Sequence, residues 1–327
     1  MKKEKQPRHA AGSIELREGT GPIVAMCPCG EFLEIYKADV TFRVLTPENV
    51  DPEGTNPNAP FLASPVDDVG SSSPVVARVL LQSIEILQSA IFDDEIDKEA
   101  VIKQLHSCKE SLVACLKFAN RLQSKVERVI SEVTASGLSS DNNGRTLNPF
   151  PQVPELDADC GSFLVHANRV IKLICGLPKL FLNLPQVDSN FDHLAKRLTS
   201  VFGQDSAVVT FLRDNSDGIR YLIDLRNFHE HPGETKTIIA NFKLLPDMNI
   251  RVPMWHLTNQ QPRPVKEEMV ASIDFLIMMA EAMLIHLVMH KVIKNIPYVI
   301  EEIEDINPSN PIKYKLSIDG SKFTFKK

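Results

Sequence analysis

Residues 221–234 read YLIDLRNFHEHPGE, an apolar run that ends in an arginine, an asparagine and two histidines just before a Pro-Gly stop. These side-chain types suit chemistry on a phosphate. Guanidinium grips phosphate bidentately, and an imidazole with an ordinary pKa of about 6.5 gives or takes a proton at neutral pH. On an ideal helix the face carrying Ile219 and Leu222 continues, at three- and four-residue steps, through Arg226 to His229. Arg226 therefore points along an apolar stripe, where an uncompensated charge is costly. Its partner is either an internal carboxylate, such as Asp224 or Asp274, or a phosphate. His231 lies further on, about 140° around an unbroken helix from Arg226. Pro232 disfavours the helical region for the residue before it, so His231 is expected to leave the helix and be free to swing beside Arg226.

Two other constellations invite a metal reading. His229-x-His231 has a ligand-like spacing that His193 or His256 would have to complete. Cys27-Pro-Cys29-Gly offers two thiolates, half of a zinc site, but no second cysteine pair follows, and a reduced turn before a strand accounts for it more simply. Arg251 and His256 repeat the Arg-to-His spacing, yet Arg251 falls in an expected strand interrupted by Pro253, so spacing alone identifies nothing. The sequence contains neither a phosphate-binding P-loop nor a nucleophile elbow.

The elements that must hold these residues follow from composition and periodicity. A chain of 327 residues, 43% apolar and 24% charged, fits one large or two modest globular domains. A net charge of −6 argues against a surface coated in basic side chains for duplex nucleic acid, while leaving room for a local basic groove. The opening MKKEKQPRHAAGS has no apolar core of signal-peptide length, so a cytoplasmic chain is expected. Six scattered cysteines do not resemble a secreted disulfide framework, and Cys108, Cys115 and Cys175 read as small core fillers on helices. The most apolar stretch, residues 275–293, carries Glu281 near its middle together with His286 and His290. It reads as a buried core helix, and no membrane contact is expected.

The fold class expected is mainly α, a helical bundle, with a small N-terminal β segment, a β-hairpin inserted before the last long helix, and a C-terminal hairpin. Residues 1–73 read as the β segment and a Pro-, Ser- and Asn-rich loop, 74–137 as a helical hairpin whose second helix is capped by Asp94 or Asp97, and 138–157 as a linker. Residues 158–296 read as a second helical domain: a helix over about 160–183 broken near Gly176-Leu177-Pro178, one over 190–202 capped by Asn190 or Asp192, and one over about 206–230. Two strands joined at Pro246-Asp247 and the long apolar helix complete it. Residues 297–327 read as an acidic turn and a hairpin about Asp319-Gly320.

The run Arg226-Asn227-Phe228-His229-Glu230-His231, an Arg-polar-x3-His pattern at a helix end, resembles the signature of the HEPN superfamily of small helical-bundle, nucleotide-binding domains. The β-hairpin and long apolar helix that follow are similar to versions found in bacterial toxin-antitoxin and phage-defence proteins, and the resemblance covers about residues 158–296. It implies a metal-independent endoribonuclease without cofactor, acting as a homodimer on single-stranded RNA by attack of the RNA's own 2′-hydroxyl. His231 would then be the general acid/base, Arg226 the phosphate clamp and Asn227 a group that orients either, with His229 and Glu230 auxiliary. An antitoxin or regulatory protein would be its partner. The alternative is a family member without catalysis, a nucleotide-binding or protein-interaction module, which the acidic balance and the 6% aromatic content favour by leaving few platforms for stacking RNA bases.

Overall fold

The computed structural model describes residue 8 and residues 14–138, 145–182, 184 and 191–322. The chain is mainly helical with small antiparallel sheets. It divides into two compact units, the first built on residues up to Lys109, the 177–186 segment and residues from Ala280 onward, the second on residues 110–176 and 187–279.

In the first unit β1 (Ala25–Cys29), β2 (Phe32–Tyr36), β3 (Thr41–Leu45) and β4 (Leu62–Asp67) form one antiparallel meander, with the short α1 (Pro47–Val50) between β3 and β4. Cys27 stands opposite Glu34, and Glu34 opposite Arg43. Because side chains alternate along a strand, Leu33, Ile35, Phe42 and Val44 share the face that packs the core with Leu16 and Val40. The opposite face collects Cys27, Cys29, Phe32, Glu34, Tyr36 and Arg43. A continuous helical run follows, α2 (Pro74–Val76), a π-helical turn (Ala77–Leu81) and α3 (Gln82–Ser89). Then comes α4 (Lys98–Ser136), whose first turn is capped by Asp97, the Oδ1 accepting the Ala100 N–H at 2.9 Å. Gly137, at a φ of 70°, ends α4 in the left-handed region that favours glycine.

In the second unit α5 (Leu156–Leu182), α6 (Phe191–Phe202) and α7 (Ala207–Glu230) precede a β excursion of β5 (Thr237–Ala240), β6 (Lys243–Leu244), β7 (Ile250–Arg251), β8 (Met254–Leu257) and β9 (Arg263–Pro264). Strands β6 and β7 pair across the Pro246-Asp247 turn, and β5 pairs with β8 outside them. Trp255, fully buried, lies 6.0 Å from the Phe163 ring. The long α8 (Val265–Lys291) leads back into the first unit, which ends in β10 (Tyr298–Glu302) and β11 (Tyr314–Ile318).

Three sequence expectations change. Helix α5 runs unbroken through Pro178, because burial of Leu177 and Phe181 on either side of the proline outweighs the missing backbone donor. Strand β11 pairs with β10, while residues 323–327, the second strand of the expected hairpin about Asp319-Gly320, lie outside the described residues. The Tyr-Val-Ile run at 298–300 supplies β-forming side chains within what reads as an acidic turn, and Gly320–Lys322 coils instead into a 3-10 turn. Ile130, which the helical spacing of Leu122, Val126 and Val129 would put on the apolar stripe of α4, is 44% exposed. The proposed cap Asn190 lies outside the described residues, and Asp192 sits in the first turn of α6.

Helices α5 and α8 are long and apolar enough to cross a membrane, but 56% and 61% of their most apolar windows are buried within the protein. On α8, burial lowers the pKa of His286 below its ordinary value. As pH falls, the unfolded chain therefore takes up this proton first, so the stability His286 contributes is present above about pH 6.5 and is lost as pH falls toward its folded pKa. Over about pH 7 to 5.5 His286 pulls the thermal midpoint down while His106, raised by its partners, acts the other way, so His286→Gln should shift the slope toward a gain at low pH in calorimetry. An unchanged slope would assign the loss to other groups.

Candidate functional site

Helix α7 buries Val208, Val209, Leu212, Ile219, Leu222 and Leu225, and its end sets out the residues singled out by sequence. His231 caps it at φ −129° and ψ 69°, outside the helical region, with its N–H donating to the Asn227 carbonyl at 2.8 Å. The proline argument thus holds for the backbone, and the His231 side chain is exposed. Arg226, half-buried, pairs instead with Glu230 one turn on, and its Nη1 donates to Asn227 Oδ1 at 3.0 Å. Its carboxylate partner is Glu230, not Asp224 or Asp274. The Arg226 Nε is buried and makes no hydrogen bond, so the guanidinium retains donor capacity beyond its ion pair.

Arg226 and Asn227 line a cleft of about 390 Å³ with Asn168, Lys172, Arg220 and Asp224. Arg220 is anchored by Asp192 at 2.9 Å, and burial pushes the Asp224 carboxyl above its usual value. Cationic and amide donors meet there beside two carboxylates, Asp192 and Asp224, so a phosphate or another small anion would compete with the carboxylates that pair Arg220 and Arg226. His231 is not among the lining residues. His229 turns elsewhere. Its ring packs on Gly161, where an added Cβ would stand 2.6 Å from His229 Cε1, and its Nε2 lies 3.4 Å from Asp157 Oδ1. The decoy pair separates, with Arg251 on β7 and His256 Nδ1 against the Leu257 carbonyl at 2.8 Å.

A second constellation lies in the first unit. His106 and Lys109, three residues apart on one face of α4, meet the polar face of the meander. Glu34, fully buried, accepts from Lys109 Nζ at 2.9 Å, from Arg43 Nη2 at 2.8 Å and from the Tyr36 hydroxyl, and its Oε2 lies 3.0 Å from His106 Nε2. Burial alone would raise this carboxyl, but His106, Lys109 and Arg43 together hold it well below the usual range. Burial would likewise lower His106, yet its hydrogen bonds to Cys29 and Glu34 raise it to about 9. The sulfurs of Cys27 and Cys29 are 3.5 Å apart. Their mutual hydrogen bond lowers the Cys27 pKa and raises that of Cys29. Among the described residues, the one group of three or more metal-capable side chains drawn together is Cys29, Glu34 and His106, whose ligating atoms lie within 4.8 Å of one another. The paired histidines His229 and His231 gather no such third ligand among those residues.

No family model, curated protein or solved structure matches the chain. The Cys27-x-Cys29 spacing flagged half of the second constellation. What sequence reasoning missed was Glu34 and His106: the strand alternation that puts Glu34 beside Cys27 was legible, but nothing local ties His106 to that sheet.

Proposed function

We propose that this chain is an HEPN-like, metal-independent endoribonuclease of defence or toxin type. Arg226 holds the scissile phosphate, Asn227 orients it and His231 exchanges the proton. The observation that carries this reading is the end of α7, where a guanidinium with an unused buried N–H and an adjacent amide open on a cleft shared with Lys172 and Arg220. His231 stands free of the helix five residues on. In cleavage, a base takes the proton of the RNA 2′-hydroxyl, that oxygen bonds to the adjacent phosphorus, and the 5′-oxygen leaves with a proton from an acid, giving a 2′,3′-cyclic phosphate and a 5′-hydroxyl. One copy supplies one such imidazole and one such guanidinium. A symmetric homodimer would set two such pairs across a shared groove, and an antitoxin or other regulatory protein would restrain it in the cytoplasm.

A second reading, a non-catalytic nucleotide-binding module, is favoured by two observations: Glu230 occupies Arg226, and His231 does not line the cleft. Cleavage of single-stranded RNA by the purified chain in excess chelator separates the two. Arg226→Ala is expected to slow cleavage about 10²–10³-fold by removing charge stabilisation. His231→Ala is expected to slow it about 10²–10⁴-fold by removing proton transfer, with RNA binding retained. Binding that Arg226→Ala abolishes, without cleavage by the unaltered chain, would establish the binding module instead. Neither binding nor cleavage would overturn both.

A further inference from the structure

We infer that Cys27, Cys29 and His106 form a site for a thiophilic divalent cation, zinc above all, with Glu34 holding the histidine in position. The site is independent of the α7 helix end and of its proposed reaction. The argument begins with register. Cys27 and Cys29 are two apart on β1, so both thiols emerge from the same face of the sheet, where they stand 3.5 Å apart. In a tetrahedral zinc site, bonds of about 2.3 Å hold two sulfurs about 3.8 Å apart, so a few tenths of an ångström of movement makes this pair a bidentate ligand. The spacing is far too long for a disulfide, in which the sulfurs are about 2.05 Å apart.

His106 supplies what the sequence did not, a borderline donor delivered from α4 to Cys29: the ligating atoms of Cys29, His106 and Glu34 lie within 4.8 Å of one another, and Cys27 Sγ is 3.5 Å from that of Cys29. Glu34 completes the arrangement without being needed as a ligand. Its two oxygens are already occupied by Lys109, Arg43 and Tyr36, while Oε2 also faces His106 Nε2. A carboxylate on one ring nitrogen fixes the imidazole and leaves the other nitrogen for a metal, the usual outer support of a metal-bound histidine. Arg43 and Lys109 balance the charge of Glu34, so the cation would be met by two thiolates and a neutral imidazole. Binding would release to solvent the two thiol protons and the proton on the His106 ring nitrogen that takes the metal. Cys27 is 1% exposed and Cys29 partly exposed, which places the fourth, open position on the Cys29 side for water or an exogenous ligand.

The test uses the reduced full chain stripped with chelator. Titration with Co²⁺ is expected to give sulfur-to-cobalt charge-transfer and tetrahedral ligand-field bands that saturate at about one equivalent per chain, and added Zn²⁺ should displace them. Zn²⁺ should also protect Cys29 from iodoacetamide in peptide mass mapping. Cys29→Ser and His106→Gln should each weaken Zn²⁺ binding at least 100-fold in competition with a chromogenic chelator. The cobalt spectrum and the protection need no variant, so they decide the matter even where a variant folds poorly. Absence of the charge-transfer bands at saturating Co²⁺, or equal alkylation of Cys29 with and without Zn²⁺, would overturn the site and leave the thiols to other chemistry.

Discussion

Glu34→Ala is expected to destabilise the fold by about 3–5 kcal/mol, the range for removing one partner of a buried ion pair. The carboxylate is fully buried on β2, and Lys109, which it neutralises at 2.9 Å, is only 2% exposed. Without Glu34 the Lys109 ammonium loses the carboxylate it meets at 2.9 Å, and the Tyr36 hydroxyl loses its acceptor. Arg43 suffers less, because its side chain is 31% exposed and stacks over the Phe32 ring at 4.0 Å, from which it can turn to water. Lys109→Met should cost less than Glu34→Ala, since Glu34 then keeps Arg43, His106 and Tyr36. The double variant Glu34→Leu with Lys109→Met should recover much of the loss, because the burden lies in the orphaned charge rather than in missing contacts. Urea unfolding of chelator-treated protein measures all three without any contribution from bound metal. A Glu34→Ala loss below about 1 kcal/mol would mean that water reaches this cluster, since that is the scale of an exposed pair.

What was legible in the sequence was local. The apolar stripe of α7, the departure of His231 ahead of Pro232, the Asp97 cap and the turn at Pro246-Asp247 all depend on residues within a few positions of one another, and rules of periodicity and backbone sterics reach that far. What was not legible depended on partners distant in sequence. Gly176-Leu177-Pro178 looks like a break until the burial of Leu177 and Phe181 is known, and Tyr298–Ile300 looks like part of an acidic turn until it pairs with β11. Arg226 shows the same limit at the site. Its alignment with the apolar stripe correctly announced the need for a counter-charge, but Glu230 was overlooked as a candidate although it stands only four residues along the same helix. For the second constellation, Cys27 and Cys29 announced half a site, whereas His106 is on α4 and reaches them only through the docking of a helix on a sheet.

The same logic of a buried charge with few partners makes Arg78→Met the next largest expected loss, about 3 kcal/mol, at the low end of the range for an orphaned buried carboxylate. Glu281 lies 3% exposed on α8, in the middle of the stretch that reads as a core helix. It survives there because Arg78 binds it through both Nε, at 3.1 Å, and Nη2, while Gln82 Nε2 donates at 2.7 Å. Removing Arg78 leaves only the neutral amide. Glu281→Gln keeps hydrogen-bonding groups and removes the charge, so it should cost less than Arg78→Met, and Arg78→Met with Glu281→Leu should regain stability over Arg78→Met alone. Gln82 separates the ion pair from what it supports: its Oε1 accepts the backbone N–H groups of Lys313 and Tyr314 at 2.6 and 2.7 Å, so the side chain ties the start of β11 to the buried carboxylate. Gln82→Leu should therefore speed hydrogen exchange at those two amides more than elsewhere, whereas Arg78→Met should lower protection across the first unit in proportion to its global loss. If Gln82→Leu leaves both amides as protected as before, the tie is not what holds β11, and the strand owes its place to β10 alone.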